Sequence, residues 1–583
     1  MRSLDDSKND ATVAVLPESA VLFDATGEGD FGKIKGRLLR MQKLFLKLGG
    51  VVFLSAMITA SVAEPSQDNT TASGKIDAVK IDHFKSEQQI SAGSVLIGGK
   101  RVQYNAFAGT LIAHTKEWDD VPQNAEKDEK GEKKIPSEAS IFYVAYFKSG
   151  AKSSDRPVTF FFNGGPGSAT VWLHMGAFGP KRVVTASDVH APAAPYPIVN
   201  NDFSLLDATD LVFVDAPGTG FSRISGKERE KDFFGVDQDA HAFADFITQF
   251  LTKYGRWNSP KYLFGESYGT TRAAVLANLL ESDHSVDLNG IILLSQILNF
   301  DNSVDGPETN PGIDLPYQLS LPTYTATAWY HHRLPGQPKA LPPLLAEVEH
   351  FAMTDYAQAL MAGSTLSSEQ RNLTAEKLHH YTGLPVSYIL KANLRVSGGE
   401  FEKTLQNEDG TTTGRLDSRF SGPTMDPLSK EAGYDPLSAA IGSAYVSAFN
   451  DYVRKDLKFG GNRTFKLFID TSKWDFLHQP PGASAPLPQA TNVMPDLAAA
   501  MKYNPNLKIL LNAGYFDLAT PFYEGVYEMQ HLSIPAKLQG NIEYRFYESG
   551  HMVYAHEASL KKLHDNVAEF ISKTAAVGGK KLS

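Results

Sequence analysis

The chain has 583 residues, 56 basic and 66 acidic side chains, a net charge of −10 and no cysteine. Zero cysteines exclude disulfides, thiolate metal sites and a cysteine nucleophile; the acidic balance argues against a nucleic-acid binder, since counterion release needs a basic face. With 42% hydrophobic and 11% aromatic residues the composition suits a large packed core, arranged as three or four domains or as one domain carrying an insertion at about 100–200 residues per domain.

Residues 1–40 are polar with no persistent period. From Met41 the pattern changes: Lys43 and Lys47 precede the apolar run Leu48–Ala60, and Ser61-Val62-Ala63 follow. A basic start, a short apolar centre and small residues are the layout of a secretory signal over 41–63, and a run of 13 residues is short for a membrane span. Because signals begin at the N-terminus, Met41 reads as the initiator and 1–40 as a wrongly assigned extension; a membrane-tethering signal anchor is the alternative. The product is expected to be exported, to a periplasm or the medium, with no stable membrane span once the signal is removed. Residues 64–94 read as a flexible segment.

From residue 95 the pattern predicts an α/β domain in two parts, 95–304 and 441–575, interrupted by a mainly helical insertion over 305–440, with a tail at 576–583. Residues 96–113 and 139–150 have strand composition, and the charge-dense stretch between them reads as a solvated loop. Short apolar runs bounded by Gly, Pro, Asn or Asp then follow at Val158–Phe162, Leu211–Val214, Tyr262–Phe264 and Ile291–Leu294, as fully buried parallel strands look. Phe243, Phe246, Ile247, Phe250, Leu251 and Tyr254 mark a helix between two of them. From Leu341 to Leu457 helical spacing dominates; strand signals return at Lys508–Leu511 and Glu543–Tyr547, and Leu560, Leu563, Val567, Phe570 and Ile571 mark a C-terminal helix. Strands alternating with helices imply a mostly parallel sheet.

Gly265-Glu266-Ser267-Tyr268-Gly269 is a G-x-S-x-G string. The string alone is weak, and its setting between a strand and a helix is what a nucleophile elbow requires. A structural serine in a glycine turn is the plain alternative. A nucleophilic Ser267 needs a base and an orienting carboxylate, which this architecture supplies in the order Ser, Asp, His. Asp517 and His551 each lie just past a predicted strand, where strand ends open onto the edge of a parallel sheet. The oxyanion hole needs two N–H groups aimed at one point. Tyr268 supplies one, and Gly165, in the turn Asn163-Gly164-Gly165-Pro166-Gly167 after the strand Val158–Phe162, is the natural source of the other.

Asn163-Gly164-Gly165-Pro166-Gly167-Ser168, the run Asp210–Ser222, Gly265–Gly269, Asp517 and Gly550-His551 together resemble the serine carboxypeptidase family, in the family's order and over residues 95–575. The cysteine-free form, with Trp257-Asn258-Ser259-Pro260 ahead of the elbow, resembles a bacterial branch. The resemblance implies an α/β-hydrolase fold with a helical cap, removal of single residues from peptide C-termini and an acidic optimum. It also implies that Asn163, Gly164 and Glu266 read the substrate's terminal carboxylate, Glu266 being protonated in order to donate. One position departs: where the family carries a second Glu, partner to the elbow Glu, this chain has Ala177. Loss of the carboxyl pair is expected to lower the pKa of Glu266, to weaken carboxylate recognition or to raise the pH optimum.

An esterase or acyltransferase on the same triad is the competing enzyme, since only the acyl acceptor differs; a non-catalytic binding protein on this fold is the remaining class. Peptides are the expected partners, with no nucleic acid. No HExxH string or paired acidic loop stands in the sequence, so no metal and no cofactor are expected.

Overall fold

A computed structural model describes residues 84–116, 136–338 and 340–575. The proposed extension 1–40, the signal 41–63 and the tail 576–583 lie outside the described residues, as does the start of the segment 64–94. From Gln88 that segment is strand, a departure from the flexible stretch expected there. β1 (Gln88–Ile97) pairs along its whole length with β2 (Lys100–His114) across the turn Gly98-Gly99. Its Gln-, Ser- and Gly-rich sequence has little strand propensity, so cross-strand pairing sets its state.

Ten strands of the described residues form one sheet. After the hairpin come β3 (Glu138–Lys148), β4 (Val158–Phe162), β5 (Asp210–Val214), β6 (Arg223–Ser225), β7 (Lys261–Glu266), β8 (Gly290–Leu294), β9 (Lys508–Gly514) and β10 (Ile542–Tyr547). Their order across the sheet is β1-β2-β3-β5-β4-β7-β8-β9-β10, with β6 beside β3. The pairs among β1, β2, β3, β5 and β6 are antiparallel; from β5 to β10 every neighbour is parallel. The C-terminal ends of β4, β7, β8, β9 and β10 therefore open on one edge, and all the site loops leave from it.

The alternation of a strand decides which face each apolar side chain serves. Phe161, Phe213, Tyr262, Phe264, Ile292 and Leu510 join one core with helices Pro436–Lys455 and Glu557–Ala575. Phe160, Phe162, Val212, Leu263, Ile291 and Leu511 join another, under α1 (Val236–Tyr254), α2 (Tyr268–Ser282) and the helix Met494–Tyr503. Both faces are covered, so these strands read as unbroken apolar runs.

Between β8 and β9 the helices Leu315–Tyr330, Leu341–Phe351 and Ser368–Thr382 build a separate core around Tyr324, Val348, Phe351 and Leu378, which Leu518 also enters. The helix Pro436–Lys455 runs through residue 440, the boundary expected between insertion and second core part. Its buried side chains Tyr445, Phe449 and Val453 pack on the sheet's own core. Helical periodicity marks which face is buried but not what it is buried against, so that boundary is invisible in the sequence.

Candidate active site

Ser267 stands between the last residue of β7 and the first of α2, with φ 60° and ψ −132°. A non-glycine residue in that region costs about 1–3 kcal/mol and persists only where its surroundings impose it. Here Ser267 N–H donates to Leu294 O at 3.0 Å, and Ser267 O accepts from Thr270 N–H at 2.8 Å. A Cβ on Gly265 would sit 2.1 Å from Gly269 O, and one on Gly269 would sit 2.7 Å from Phe162 O. The two glycines of the motif are therefore demanded by packing between β7, α2 and β4. The serine is left half-buried at the sheet edge, above a helix N-terminus that favours developing negative charge.

Asp517 and His551 come together as the strand ends predict. His551 Nδ1 lies 2.8 Å from Asp517 Oδ2, and both side chains are buried. Asp517 also accepts from Ala519 N–H at 2.9 Å, Thr520 N–H at 3.0 Å and Thr520 Oγ1 at 2.7 Å, so its lone pairs are directed and it orients the imidazole. Burial pulls the His551 imidazole down, but the Asp517 carboxylate outweighs it and Glu266 adds to the effect, leaving the pKa above its ordinary value. Among the described residues no hydrogen bond joins Ser267 Oγ to His551; in substrate-free sites such bonds are often long.

The glycine turn after β4 lies against the elbow. A Cβ on Gly164 would fall 2.4 Å from Tyr268 N and 2.8 Å from Glu266 O, so only glycine permits this approach. Gly165, at φ 113°, is exposed at the edge, and Tyr268 N–H is among the donors a helix start leaves without an intrahelical partner. The turn is tied down from behind. Arg272, one helical turn past Ser267, donates from Nη1 to Asn163 O at 2.9 Å and from Nε to Asp239 Oδ2 at 2.5 Å, with both side chains fully buried.

Glu266 points into the protein interior next to this turn. Burial raises its pKa to about 7, opposed by the charge of His551 and by hydrogen bonds from Tyr554 and Asn163. Tyr554 Oη lies 3.0 Å from Oε1 and 2.9 Å from Oε2. Even with Ala177 in place of a second carboxyl, desolvation keeps Glu266 well above an ordinary carboxylate, and the charge of Asp517 adds to it. Ala177 is itself buried, and the rings of Tyr445 and Tyr554 pack on the backbone of neighbouring Gly176.

Sequence reasoning missed what the insertion contributes. The segment Arg415–Arg419 is clamped between the two loops that carry Asp517 and His551. Leu518 N–H donates to Arg415 O at 3.0 Å, His551 N–H to Leu416 O at 2.6 Å, and Gly550 N–H to Asp417 Oδ2 at 3.1 Å. Asp417 is paired in turn with Arg419, Nε to Oδ1 at 2.9 Å. No local pattern announces these contacts, because each partner is more than a hundred residues away. Thr520, three residues past Asp517, was findable as a hydroxyl beside the orienting acid. Among the described residues no group of three or more His, Asp or Glu side chains is placed to hold a metal ion.

An open sheet, parallel across its centre, with a serine on a strained strand–helix turn and an Asp–His pair at neighbouring strand ends, defines an α/β hydrolase. Residues 127–314 match the serine carboxypeptidase family model. It is similar to a serine carboxypeptidase-like protein of Oryza sativa, 31% identical over 134 residues, which are 22% of this chain and 28% of that one. It is also similar to the pheromone-processing carboxypeptidase KEX1 of Yarrowia lipolytica, 32% identical over 145 residues, 24% of this chain and 22% of that one. The match thus spans about a quarter of the length of these curated relatives. These are plant and fungal proteins and lend nothing to a bacterial assignment. Among solved structures the chain is similar to the prohormone-processing carboxypeptidase Kex1 of Saccharomyces cerevisiae, with a TM-score of 0.47 and 15% identity, covering 81% of this chain and 91% of that one.

Proposed function

We propose that the chain is a serine carboxypeptidase that removes the last residue of a peptide through an acyl-enzyme. Ser267 attacks the carbonyl carbon of the final peptide bond while His551 takes its proton, and Asp517 stabilises the imidazolium that forms. The N–H groups of Gly165 and Tyr268 hold the oxyanion. His551 then hands its proton to the departing amine, and a water activated by the same imidazole releases the shortened peptide. Asn163, Gly164 and Glu266 receive the terminal carboxylate of the substrate, Glu266 donating its proton. Export through the leader at 41–63, to a periplasm or the medium, belongs to the same reading. Among the described residues no helix is long and apolar enough to cross a membrane.

The observation that carries this reading over an esterase is Glu266: a buried carboxyl adjoining the nucleophile, raised to about 7 and flanked by the amide of Asn163. A protonated carboxyl there gives a terminal carboxylate a hydrogen bond that an ester lacks. Binding therefore weakens as pH rises through about 7, while protonation of His551 limits the rate on the acid side. The test compares a blocked dipeptide with its C-terminal amide and its ester across pH 4 to 9, with Ser267→Ala as the control. Hydrolysis of the free acid, lost on Ser267→Ala together with fluorophosphonate labelling, is expected. Equal turnover of amide and free acid, or labelling at another serine, would refute it.

A further inference from the structure

The absence of an acid at position 177 leaves a question that the surroundings of Glu266 answer. Five groups face that carboxyl from separate parts of the fold. They are His551 after β10, Asp517 after β9, Asn163 after β4, Tyr445 on the helix Pro436–Lys455, and Tyr554, three residues past His551. Among the described residues only Tyr554 touches both carboxyl oxygens, at 3.0 and 2.9 Å, and it is 3% exposed. Its hydroxyl is itself directed. Asn163 Oδ1 accepts from Leu173 N–H at 3.1 Å, which turns the amide nitrogen of Asn163 toward Tyr554 and Glu266. The Tyr554 hydroxyl, with Glu266 oxygens on one side, sends its one hydrogen to that carboxyl.

The space beside neighbouring Gly176 is also taken. A Cβ on Gly176 would lie 2.6 Å from Tyr445 Cε1 and 2.8 Å from Tyr554 Cδ2, so the two rings pack closely on the Gly176 backbone.

We propose that Tyr554 is the positioning residue that stands in for the missing carboxyl partner, holding Glu266 in the orientation in which its acid proton faces a substrate's terminal carboxylate. This rests on the carboxypeptidase reading above and adds the residue that governs its pH range. The chemistry of a phenol differs from that of an acid in one testable way. A second carboxyl shares a proton and raises its neighbour's pKa, and it loses that effect once ionised. A phenol with a high pKa stays a donor throughout, so it favours ionised Glu266 and caps the range over which Glu266 remains protonated.

Tyr554→Phe removes the hydroxyl and keeps the ring. The alkaline limb of kcat/KM for a free-acid dipeptide is expected to move up by roughly one pH unit, because a hydrogen bond that favours the carboxylate is gone. KM for the free acid is expected to rise about tenfold at pH 5, with kcat for the matching ester nearly unchanged. Replacing Tyr554 by a fluorinated tyrosine, isosteric and a stronger donor, moves the same limb down. In a Glu266→Gln background, Tyr554→Phe is expected to leave the profile as it is. An alkaline limb that stays put or moves down in the Phe variant, or an equal loss of ester and free-acid turnover, overturns the role given to Tyr554. If the unaltered protein shows no preference for the free acid, the carboxypeptidase reading fails instead.

Discussion

Arg272 offers the sharpest test of how the turn and elbow are held together. Its guanidinium donates to Asp239 and to Asn163 O, and lies against the rings of Phe243, Phe162 and Tyr268 at 4.5, 5.4 and 5.5 Å. Arg272→Met leaves a fully buried Asp239 with no counter-ion, a loss of about 3–5 kcal/mol for breaking one side of a buried pair. Burial already pushes the Asp239 carboxyl up with the guanidinium in place, so the stranded acid takes up a proton in the variant. The second effect is on chemistry. Asn163 O loses its donor, the turn carrying Gly165 N–H is released, and one misplaced oxyanion donor costs about 10²–10³ in kcat. The two effects separate in Arg272→Met/Asp239→Leu. Removing the stranded charge is expected to restore most of the stability, while kcat stays about a hundredfold low because nothing replaces the bond to Asn163 O. Denaturant midpoints and ester turnover measure the two. Recovery of kcat in the double variant would show that Arg272 serves the ion pair alone.

Gly550→Ala places a Cβ 2.5 Å from Asp417 Cα and Leu416 O, both backbone atoms that cannot yield cheaply. Ester turnover is expected to fall about 10²-fold as the His551 loop shifts, whereas Gly540→Ala, 3.7 Å from its nearest neighbour, leaves it unchanged; equal activity of the two would deny the insertion its clamp. Stability is expected to fall as pH rises from 5 to 8. Asp215, Glu266, Glu281 and Glu528 are each raised to about 7 by burial, so between the ordinary carboxylate value and about 7 the native chain keeps protons that the unfolded chain has released. Each such group removes about 3 kcal/mol across that window. His478 acts in the same direction: burial lowers it, but Asp237 and Asp496 hold it at about 9, a contribution present below its ordinary value and lost as pH climbs to about 9. A thermal midpoint at pH 8 equal to or above that at pH 5 would contradict this.

The legible parts of the site were those whose signal is local. Ser267 could be read because the elbow needs glycines two residues either side, and Asp517 and His551 because parallel strands end in loops on one edge. The strands of the sheet centre were legible for a related reason: with both faces covered, they are continuous apolar runs. β1 escaped because pairing, rather than propensity, makes it a strand. The helix Pro436–Lys455 has the same periodicity whether it packs on other helices or on a sheet, so its membership of the sheet's core could not be inferred.

Sequence alone therefore determined the strands at the sheet's centre, the order of Ser267, Asp517 and His551, and the absence of cysteine chemistry. These follow from periodicity, strand ends and residue type, which act over a few residues. Tertiary structure decided the environment of those groups: Arg272 behind the turn, Arg415–Arg419 between the loops of Asp517 and His551, and Tyr554 on Glu266 where Ala177 leaves no acid. Desolvation and hydrogen-bond direction depend on what the rest of the chain places within a few ångströms, and no window of sequence contains that.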